Sequence, residues 1–202
     1  MATTIWLARH GEAHNPAGLL YGRLPRVRLT PEGQRQAQAL ADFLAPRPLA
    51  AIYSSPMLRA RRTAEAVLAS RQDVTRIRLD SDLHEVRNSW EGEPLHILEA
   101  MDWDLYANPR SADDESLQMI RYRMERWLQR MLRRHAGAEV LGVSHGDPVL
   151  ILAGTLRGLP LVPDLIFPRP YIATGCLYRL RFDAHGNCRD VEFCVPHEQA
   201  AA

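Results

Sequence analysis

The sequence is poor in cysteine and carries no excess of either charge. Its three cysteines, Cys176, Cys188 and Cys194, are odd in number and form no Cys-x-x-Cys pair. This usage is typical of a reducing compartment and excludes a disulfide framework. The formal net charge is +1, so no global charge excess indicates nucleic acid or a membrane surface as a partner.

Long apolar runs, internal repeats and low-complexity tracts are also missing, apart from a short alanine tail. The N-terminal stretch MATTIWLARHGE has neither a charged n-region nor a long apolar core, so we expect no signal peptide. No apolar stretch approaches the length of a membrane span. We therefore expect a soluble cytoplasmic protein. Its 202 residues, 46% of them hydrophobic, predict a single domain over residues 1–202.

Strand-like and helix-like segments alternate along the chain. Thr30-Pro31 is typical of an N-cap followed by proline at the first helical position. We predict strands at about 3–8, 50–55, 74–80 and 139–144, and helices at about 31–45, 56–70 and 115–135. We also predict a helix that follows the last of these strands and ends at about 157, and a C-terminal hairpin formed by GCLYRLRF and CRDVEFCV. The βαβ order predicts a three-layer α/β/α sandwich with a mainly parallel sheet, and a cap-like insertion of loops and helix at about 80–114.

Polar motifs stand at the ends of three predicted strands. The first ends in RHG (9–11), the second in SSP (54–56) with Arg59 one helical turn later, and the third in SHG (144–146). Because parallel strands end at the same edge of a sheet, and ligands bind beyond that edge, we expect these motifs to share one site.

The residue types at this edge suit phosphoryl chemistry. Arg9 and Arg59 are candidates to neutralise phosphate oxygens, because the planar guanidinium matches them in pairs. His10 is a candidate nucleophile that would form a phosphohistidine. Gly11, without a Cβ, would let its backbone approach the ligand. Each residue taken alone has an ordinary structural explanation, and only their combination favours function.

Two further residues complete the expected site. His145 could donate a hydrogen bond to the same phosphate oxygens. Glu85, in a loop after the short predicted strand at 74–80, could give the leaving alkoxide its proton.

The motifs resemble the histidine phosphatase superfamily, also called phosphoglycerate mutase-like. The matching features span about residues 5 to 158 and are RHGE (9–12), LTPEG (29–33), SSPMLRAR (54–61), LHE (83–85), ES (115–116) with Arg123, and SHG (144–146). The resemblance implies a phosphoglycerate mutase-like fold, with His10 as the phosphorylated nucleophile. It implies a phosphate pocket of Arg9, Arg59 and His145, Glu85 as proton donor, and no metal or organic cofactor.

The sequence departs from the family pattern at two points. Asn15, expected to bind phosphate, lies six residues after Arg9, where the family often has an asparagine seven residues on. The segment after Glu85 is one residue short, which leaves Glu91 as a weaker rival acid. Tyr21 and Gly22, in the loop LLYGRLPRVRL (19–29), are expected to contribute to phosphate or substrate binding.

We expect a metal-independent phosphomonoesterase acting on a small phosphorylated metabolite, with a homodimer left open. Family mutases are usually longer, so 202 residues favour a hydrolase over a cofactor-dependent phosphoglycerate mutase. An inactive phosphate-binding protein is a second alternative, although no catalytic residue is lost. A third is a zinc hydrolase using His10 and His14, which have the four-residue spacing of a zinc helix but with Gly11 and Pro16 in unsuitable places.

The substrate pocket is less determined by the sequence. The cluster of Arg23, Arg26 and Arg28 either favours acidic phosphomonoesters or faces water. A second cluster, Arg59, Arg61 and Arg62, is either a solvated face or a site for anionic groups. The aromatic residues of the insertion, Trp90, Trp103 and Tyr106, either contact an organic leaving group or pack the cap.

Overall fold

The computed structural model describes residues 2–196, and Met1 and residues 197–202 lie outside that range. The strands are β1 (Thr3–Arg9), β2 (Leu49–Ser54), β3 (Ile77–Leu79), β4 (Glu139–Ser144), β5 (Leu177–Phe182) and β6 (Cys188–Cys194). The helices are α1 (Pro31–Leu44), α2 (Leu58–Ala69), α3 (Leu95–Glu99), α4 (Leu117–Arg134), α5 (Gly146–Leu156) and α6 (Pro163–Ile166), with a 3-10 turn at Ser81–Leu83.

The six strands form one mixed sheet in the order β3-β2-β4-β1-β5-β6. The pairs β2–β3, β2–β4 and β1–β4 are parallel. The predicted hairpin is present as β5 and β6, which add antiparallel to the side of β1. The expected α/β fold with a mainly parallel sheet is therefore confirmed.

Helices cover both faces of the sheet, because successive side chains of a strand point to opposite faces. Ile5 and Leu7 of β1 belong to the apolar cluster that includes residues of α4 and α5. Trp6 and Ala8 belong to a second cluster, built with α1 and α2. The strand that carries the RHG motif is thus buried on both sides. Over residues 2–196, no helix combines the length and hydropathy required to cross a membrane.

The predicted boundaries hold with two differences. Thr30 caps α1 by accepting a hydrogen bond from the Gly33 N–H at 2.9 Å, as expected. Strand β3 is shorter than predicted, because only Ile77–Leu79 pairs with β2. Helix α2 begins at Leu58 instead of residue 56, since Met57 keeps an extended backbone as its N-cap.

Glycine is required at position 11 by close packing against α1, whereas from the sequence we expected it to let the backbone approach the ligand. A Cβ on Gly11 would lie 2.3 Å from the carbonyl oxygen of Gly33, in the first turn of α1. A Cβ on Gly33 would lie 2.1 Å from the carbonyl oxygen of Glu12. The two glycines therefore let the loop after β1 contact α1 directly, which fixes the backbone beside His10.

We expect Gly33→Ala to destabilise the protein by about 1–3 kcal/mol, because the added methyl group must displace backbone atoms. The midpoint of urea unfolding measures the change. Gln34→Ala, at an exposed position of the same helical turn, is the matched control and should leave the midpoint nearly unchanged. Equal midpoints for the two variants would contradict this close packing.

Candidate active site

The sheet brings the three polar motifs together at one edge. Arg9, the last residue of β1, pairs in register with Ser144, the last residue of β4. His10 and His145 therefore follow neighbouring strand ends, and their ring centroids are 5.1 Å apart. Strand β2 lies on the other side of β4 and delivers Arg59 through the start of α2. Both imidazole side chains are buried.

The guanidinium of Arg59 lies at the centre of this site and is fully buried. Its Nε donates to Nε2 of His10 at 3.0 Å, and its Nη2 lies 3.1 Å from Nδ1 of His145. Nη2 also donates to the Gly22 carbonyl oxygen at 2.7 Å and lies 3.5 Å from Oε2 of Glu85. One arginine therefore connects two histidines, the carboxyl group and the loop after β1.

His10 directs the unprotonated nitrogen of its ring, Nε2, toward Arg59. Its Nδ1 lies 2.7 Å from the carbonyl oxygen of Gly11, which can only accept, so this nitrogen carries the proton. Nε2 accepts from Arg59 and is unprotonated. Burial, followed by the charges of Arg59 and Arg9, holds the pKa of His10 well below its ordinary value. The neutral imidazole is the form in which Nε2 can attack an electrophile.

Both arginines keep an N–H group without a partner. Nη1 of Arg59 and Nε of Arg9 are buried and bond to no atom of residues 2–196. Nη1 of Arg9 donates to the carbonyl oxygen of Ile172, and its guanidinium lies 5.1 Å from the ring centroid of Tyr171. Buried donors of this kind are normally satisfied, so these two N–H groups suit an anion with several oxygens.

The loop that carries Glu85 is held by a cluster of charges. Arg123 of α4 donates to the carbonyl oxygens of Asp82 and His84 at 2.6 and 2.8 Å. Arg23 donates to the Glu85 carbonyl oxygen at 2.8 Å. Glu115 pairs with Arg23 and Arg123, each at 2.9 Å. Since these bonds reach the backbone of Glu85, they leave its carboxyl group directed at the site.

The Glu85 carboxyl group lies between the backbone and the two histidines. Oε1 accepts from the Val86 N–H at 2.9 Å, and Oε2 lies 3.4 Å from Nδ1 of His145. Burial raises the pKa of Glu85, and the negative charge of Asp147 adds to this effect while Arg59 opposes it. A carboxyl group with a raised pKa keeps its proton to higher pH, as a proton donor must.

His145 is oriented by a residue that sequence reasoning did not single out. Its Nε2 lies 2.8 Å from Oγ of Ser55, the second serine of the SSP motif. Because Arg59 donates to Nδ1, the proton of the neutral ring is on Nε2 and is donated to Ser55. Burial and the charge of Arg59 hold the pKa of His145 well below its ordinary value. The position of Ser55 at a strand end was the signal that could have identified it.

The other three candidates, Asn15, Tyr21 and Gly22, lie in the loop between β1 and α1. The amide group of Asn15 is engaged with the backbone of Leu19, accepting at 3.0 Å and donating at 2.8 Å. The ring centroid of Tyr21 lies 4.7 Å from the Arg59 guanidinium, and Gly22 accepts from the same group. Their roles in phosphate or substrate binding stay predictions. In this conformation the Asn15 amide stabilises the turn from Asn15 to Leu19 and does not face the phosphate site.

The rival acid and the zinc helix find no support in the geometry. Glu91 accepts from the Arg23 N–H at 2.6 Å and does not join the histidines. The segment from His10 to His14 lies in a loop after β1 and is not helical, and His14 is exposed. The zinc-helix hypothesis is therefore wrong.

A different set of potential metal ligands does come together. Ligand atoms of His10, Glu85 and His145 lie within 4.8 Å of one another. Each of these atoms faces the guanidinium of Arg59, at 3.0 to 3.5 Å. The positive charge next to these three ligand atoms is therefore the guanidinium of Arg59.

The aromatic residues Trp90, Trp103 and Tyr106 have different surroundings in the structure. Trp90 is buried, donates to the Asn108 carbonyl oxygen at 3.0 Å and stacks under Arg110, so it packs against the segment of these two residues. Trp103 is exposed. Tyr106 donates to Oδ2 of Asp147 at 2.5 Å. Asp147 directly follows the SHG motif, and no sequence signal pointed to its contact with Tyr106.

The arginines of each cluster have different surroundings in the structure. Arg59 is buried and Arg23 is part of the network at Glu85. Arg28 and Arg62 line a cleft of about 650 Å³ between α1 and α2, outside the site.

A buried histidine pair and two arginines lie at the carboxyl edge of the parallel strands, an arrangement suited to binding phosphate groups. The family comparison agrees with such a role. A model of the histidine phosphatase superfamily, branch 1, matches residues 5–191. The chain belongs to this superfamily.

Individual relatives agree with this assignment. The chain is 39% identical over 168 residues to the uncharacterized protein Rv0525 of Mycobacterium tuberculosis, covering 80% of this chain and 82% of that protein. It is 33% identical over 165 residues to the adenosylcobalamin/alpha-ribazole phosphatase of Salmonella typhimurium, covering 77% and 80%. The solved structure of Bacillus stearothermophilus YhfR matches with a TM-score of 0.81 and 29% identity, covering 94% of this chain and 96% of that one. These likenesses support a phosphatase activity.

Proposed function

We propose that the protein is a metal-independent phosphomonoesterase that acts on a small phosphorylated metabolite through a phosphohistidine at His10. The observation that carries the proposal is the central position of Arg59. It donates to the nucleophile candidate and leaves Nη1 free beside it, while Nε of Arg9 is free as well. A phosphoryl group at this point would meet a neutral imidazole and two guanidinium groups.

The residues present suffice for a balanced two-step reaction. In the first step the Nε2 lone pair of His10 attacks phosphorus, the bond to the ester oxygen breaks, and Glu85 gives its proton to the leaving alkoxide. In the second step water attacks the phosphohistidine, the P–N bond breaks, and the Glu85 carboxylate takes the proton of the water. Arg9, Arg59 and His145 would stabilise the charge on the transferred oxygens.

One observation supports a reaction without a metal, and one relative supports the hydrolysis of phosphate esters. The lone pairs that could bind an ion already face Arg59, whose charge can serve the phosphoryl group instead. A phosphatase from Salmonella typhimurium is among the relatives.

The experiment that tests the function is phosphate release from a panel of esters, with a chelator present. The panel contains sugar phosphates, nucleotides, phosphoserine and 3-phosphoglycerate. We expect release from at least one ester at a rate the chelator does not change. Loss of activity with chelator would contradict metal independence. Conversion of 3-phosphoglycerate only after priming with a bisphosphoglycerate would identify a mutase.

We expect Glu85→Gln to slow turnover of alkyl phosphates by roughly 10²–10⁴-fold, because an alkoxide of high pKa needs the proton. Aryl phosphates with a leaving phenol of low pKa should be affected much less. The ratio of kcat/KM for the two ester types measures the difference. Glu91→Gln removes the rival carboxyl group and is the matched control. An equal loss for both ester types in Glu85→Gln would exclude Glu85 as the acid.

The pH profile gives a second measurement on the same variant. Activity requires neutral His10, so it falls as pH drops through the lowered pKa of that residue. It also requires protonated Glu85, so it falls as pH rises through the raised pKa of that group. Glu85→Gln should remove the alkaline limb and keep the acidic limb.

A further inference from the structure

Arg9 brings its positive charge to the site without a carboxylate partner. Among residues 2–196 no aspartate or glutamate forms an ion pair with Arg9, whereas Arg59 lies 3.5 Å from Glu85 and Arg123 pairs with Glu115 at 2.9 Å. An arginine without a carboxylate partner keeps its charge for an anionic ligand. Its long side chain then needs other groups to hold it in one conformation, because rotamer freedom opposes a fixed position.

Two consecutive residues of the segment before β5 hold the guanidinium of Arg9. Its Nη1 donates to the carbonyl oxygen of Ile172, and its Cζ lies over the ring of Tyr171, 5.1 Å from the ring centroid. Nε is buried and bonds to no atom of residues 2–196. An aromatic face and a carbonyl oxygen both attract a guanidinium without a formal negative charge. They therefore hold Arg9 without neutralising it, and Nε keeps its hydrogen for a ligand.

The same segment is anchored by its backbone at the end of β1. The Arg9 N–H donates to the Cys176 carbonyl oxygen at 2.9 Å, and the Gly175 N–H donates to the His10 carbonyl oxygen at 3.1 Å. The side chain of Ile172 is buried. The groups that contact the Arg9 side chain are thus tied to the backbone of the RHG motif itself.

The hydroxyl group of Tyr171 fixes the other end of its ring. It donates to Oδ1 of Asp147, in the first turn of α5, and Oδ2 of the same carboxyl group accepts from Tyr106 at 2.5 Å. A Cβ on Gly146 would lie 2.1 Å from the Tyr171 hydroxyl oxygen, so this end of the ring packs on the backbone of α5. The ring is therefore held by α5 at its hydroxyl group and contacts Arg9 with its face.

We propose that Tyr171 is a positioning residue for phosphate binding, whose ring holds the Arg9 guanidinium so that Nε stays available to the phosphoryl group. The inference rests on the proposed function, because it takes Arg9 as a phosphate ligand. Tyr171 acts through Arg9 and is not itself a catalytic residue. The affinity for phosphate should therefore depend on the ring of Tyr171 only while Arg9 is present.

Tyr171→Leu removes the ring and tests this positioning. Tyr171 is 40% exposed, so the variant should remain folded. We expect the Kd for inorganic phosphate to rise about tenfold, the size of a contact between a cation and an aromatic ring. The kcat/KM for a phosphomonoester should fall by a similar factor. The Kd follows from the rise of the unfolding temperature with phosphate concentration, a measurement that also shows whether each variant is folded.

Two further variants separate the ring from its surroundings. Tyr171→Phe keeps the ring and should restore most of the affinity that Tyr171→Leu loses. Tyr122→Leu is the matched control, since Tyr122 makes the same kind of contact with Arg126 of α4, 5.6 Å from guanidinium to ring centroid. It should leave the phosphate Kd unchanged. Equal losses in Tyr171→Phe and Tyr171→Leu would assign the effect to the hydroxyl group and overturn the proposal.

The effect must also depend on Arg9. In an Arg9→Met background, Tyr171→Leu should change the phosphate Kd by less than about twofold, because no guanidinium is left to position. Losses that add in the double variant would show that Tyr171 acts by another route and would overturn the proposal. Wild-type affinity in Tyr171→Leu or in Arg9→Met would overturn it too.

The measurement of phosphate binding keeps this inference apart from the proposed function. A wild type that binds phosphate but hydrolyses no ester refutes the proposed function, and the Kd values of the variants still decide the role of Tyr171. A wild type that does neither refutes both.

Discussion

His10→Ala is expected to reduce turnover of every phosphomonoester by about four orders of magnitude or more, as is usual when a nucleophile is removed. His10 is buried, its Nε2 lone pair faces the site, and its Nδ1 is fixed by the Gly11 carbonyl oxygen. Phosphate release and trapping of the acid-labile phosphoenzyme measure the loss.

The matched control is His14→Ala, four residues further along the same loop. His14 is exposed and contributes no side-chain contact to the site, so turnover and phosphoenzyme should both persist. Labelled phosphoenzyme in His10→Ala, or turnover there near the wild-type rate, would contradict a phosphohistidine at this position.

Arg59→Lys is expected to lower kcat/KM by roughly 10²–10³-fold, the range found when one preorganised donor to a transition state is removed. Lysine keeps the charge but not the planar fork, which here bonds through Nε and Nη2 and offers Nη1. The inhibition constant for inorganic phosphate should rise in parallel, because the same N–H groups would bind the product.

The control for Arg59→Lys is Arg62→Lys. Arg62 lies on the same helix, is exposed and pairs with Glu65. This control variant should change neither kcat/KM nor phosphate inhibition. Because Arg59 is fully buried, thermal unfolding of both variants must be recorded as well. A folded Arg59→Lys variant with unchanged phosphate inhibition would remove Arg59 from the phosphate pocket.

The main part of the site could be predicted because it depends on strand order. RHG, SSP and SHG each stand at the end of a buried strand, and parallel strands bring their ends to one edge. Nothing more than this rule was needed to place His10, Arg59 and His145 together. Glu85 was also placed correctly, since it follows a short strand that pairs with β2.

The remaining contacts depend on packing between distant segments. Tyr171 lies against Arg9, 162 positions earlier in the chain, and the loop that contains Tyr171 has no periodic pattern. Asp147 and Tyr106 are in contact because α5 packs against the segment that contains Tyr106. Gly11 was assigned to ligand approach, whereas its close neighbour is Gly33 of α1. Side-chain directions of this kind follow from tertiary structure, and they cannot be predicted from the pattern of a single sequence.

The place of β4 in the sheet has a consequence for how the chain folds. β4 lies between β1 and β2, and the two earlier strands do not pair with each other. The segments that carry His10 and Arg59 are therefore complete long before the strand that joins them, Glu139–Ser144, enters the sheet. Such non-local pairing is slow to form. During synthesis or refolding, enzymatic activity should thus appear late and abruptly, as a signal that the central strand has inserted.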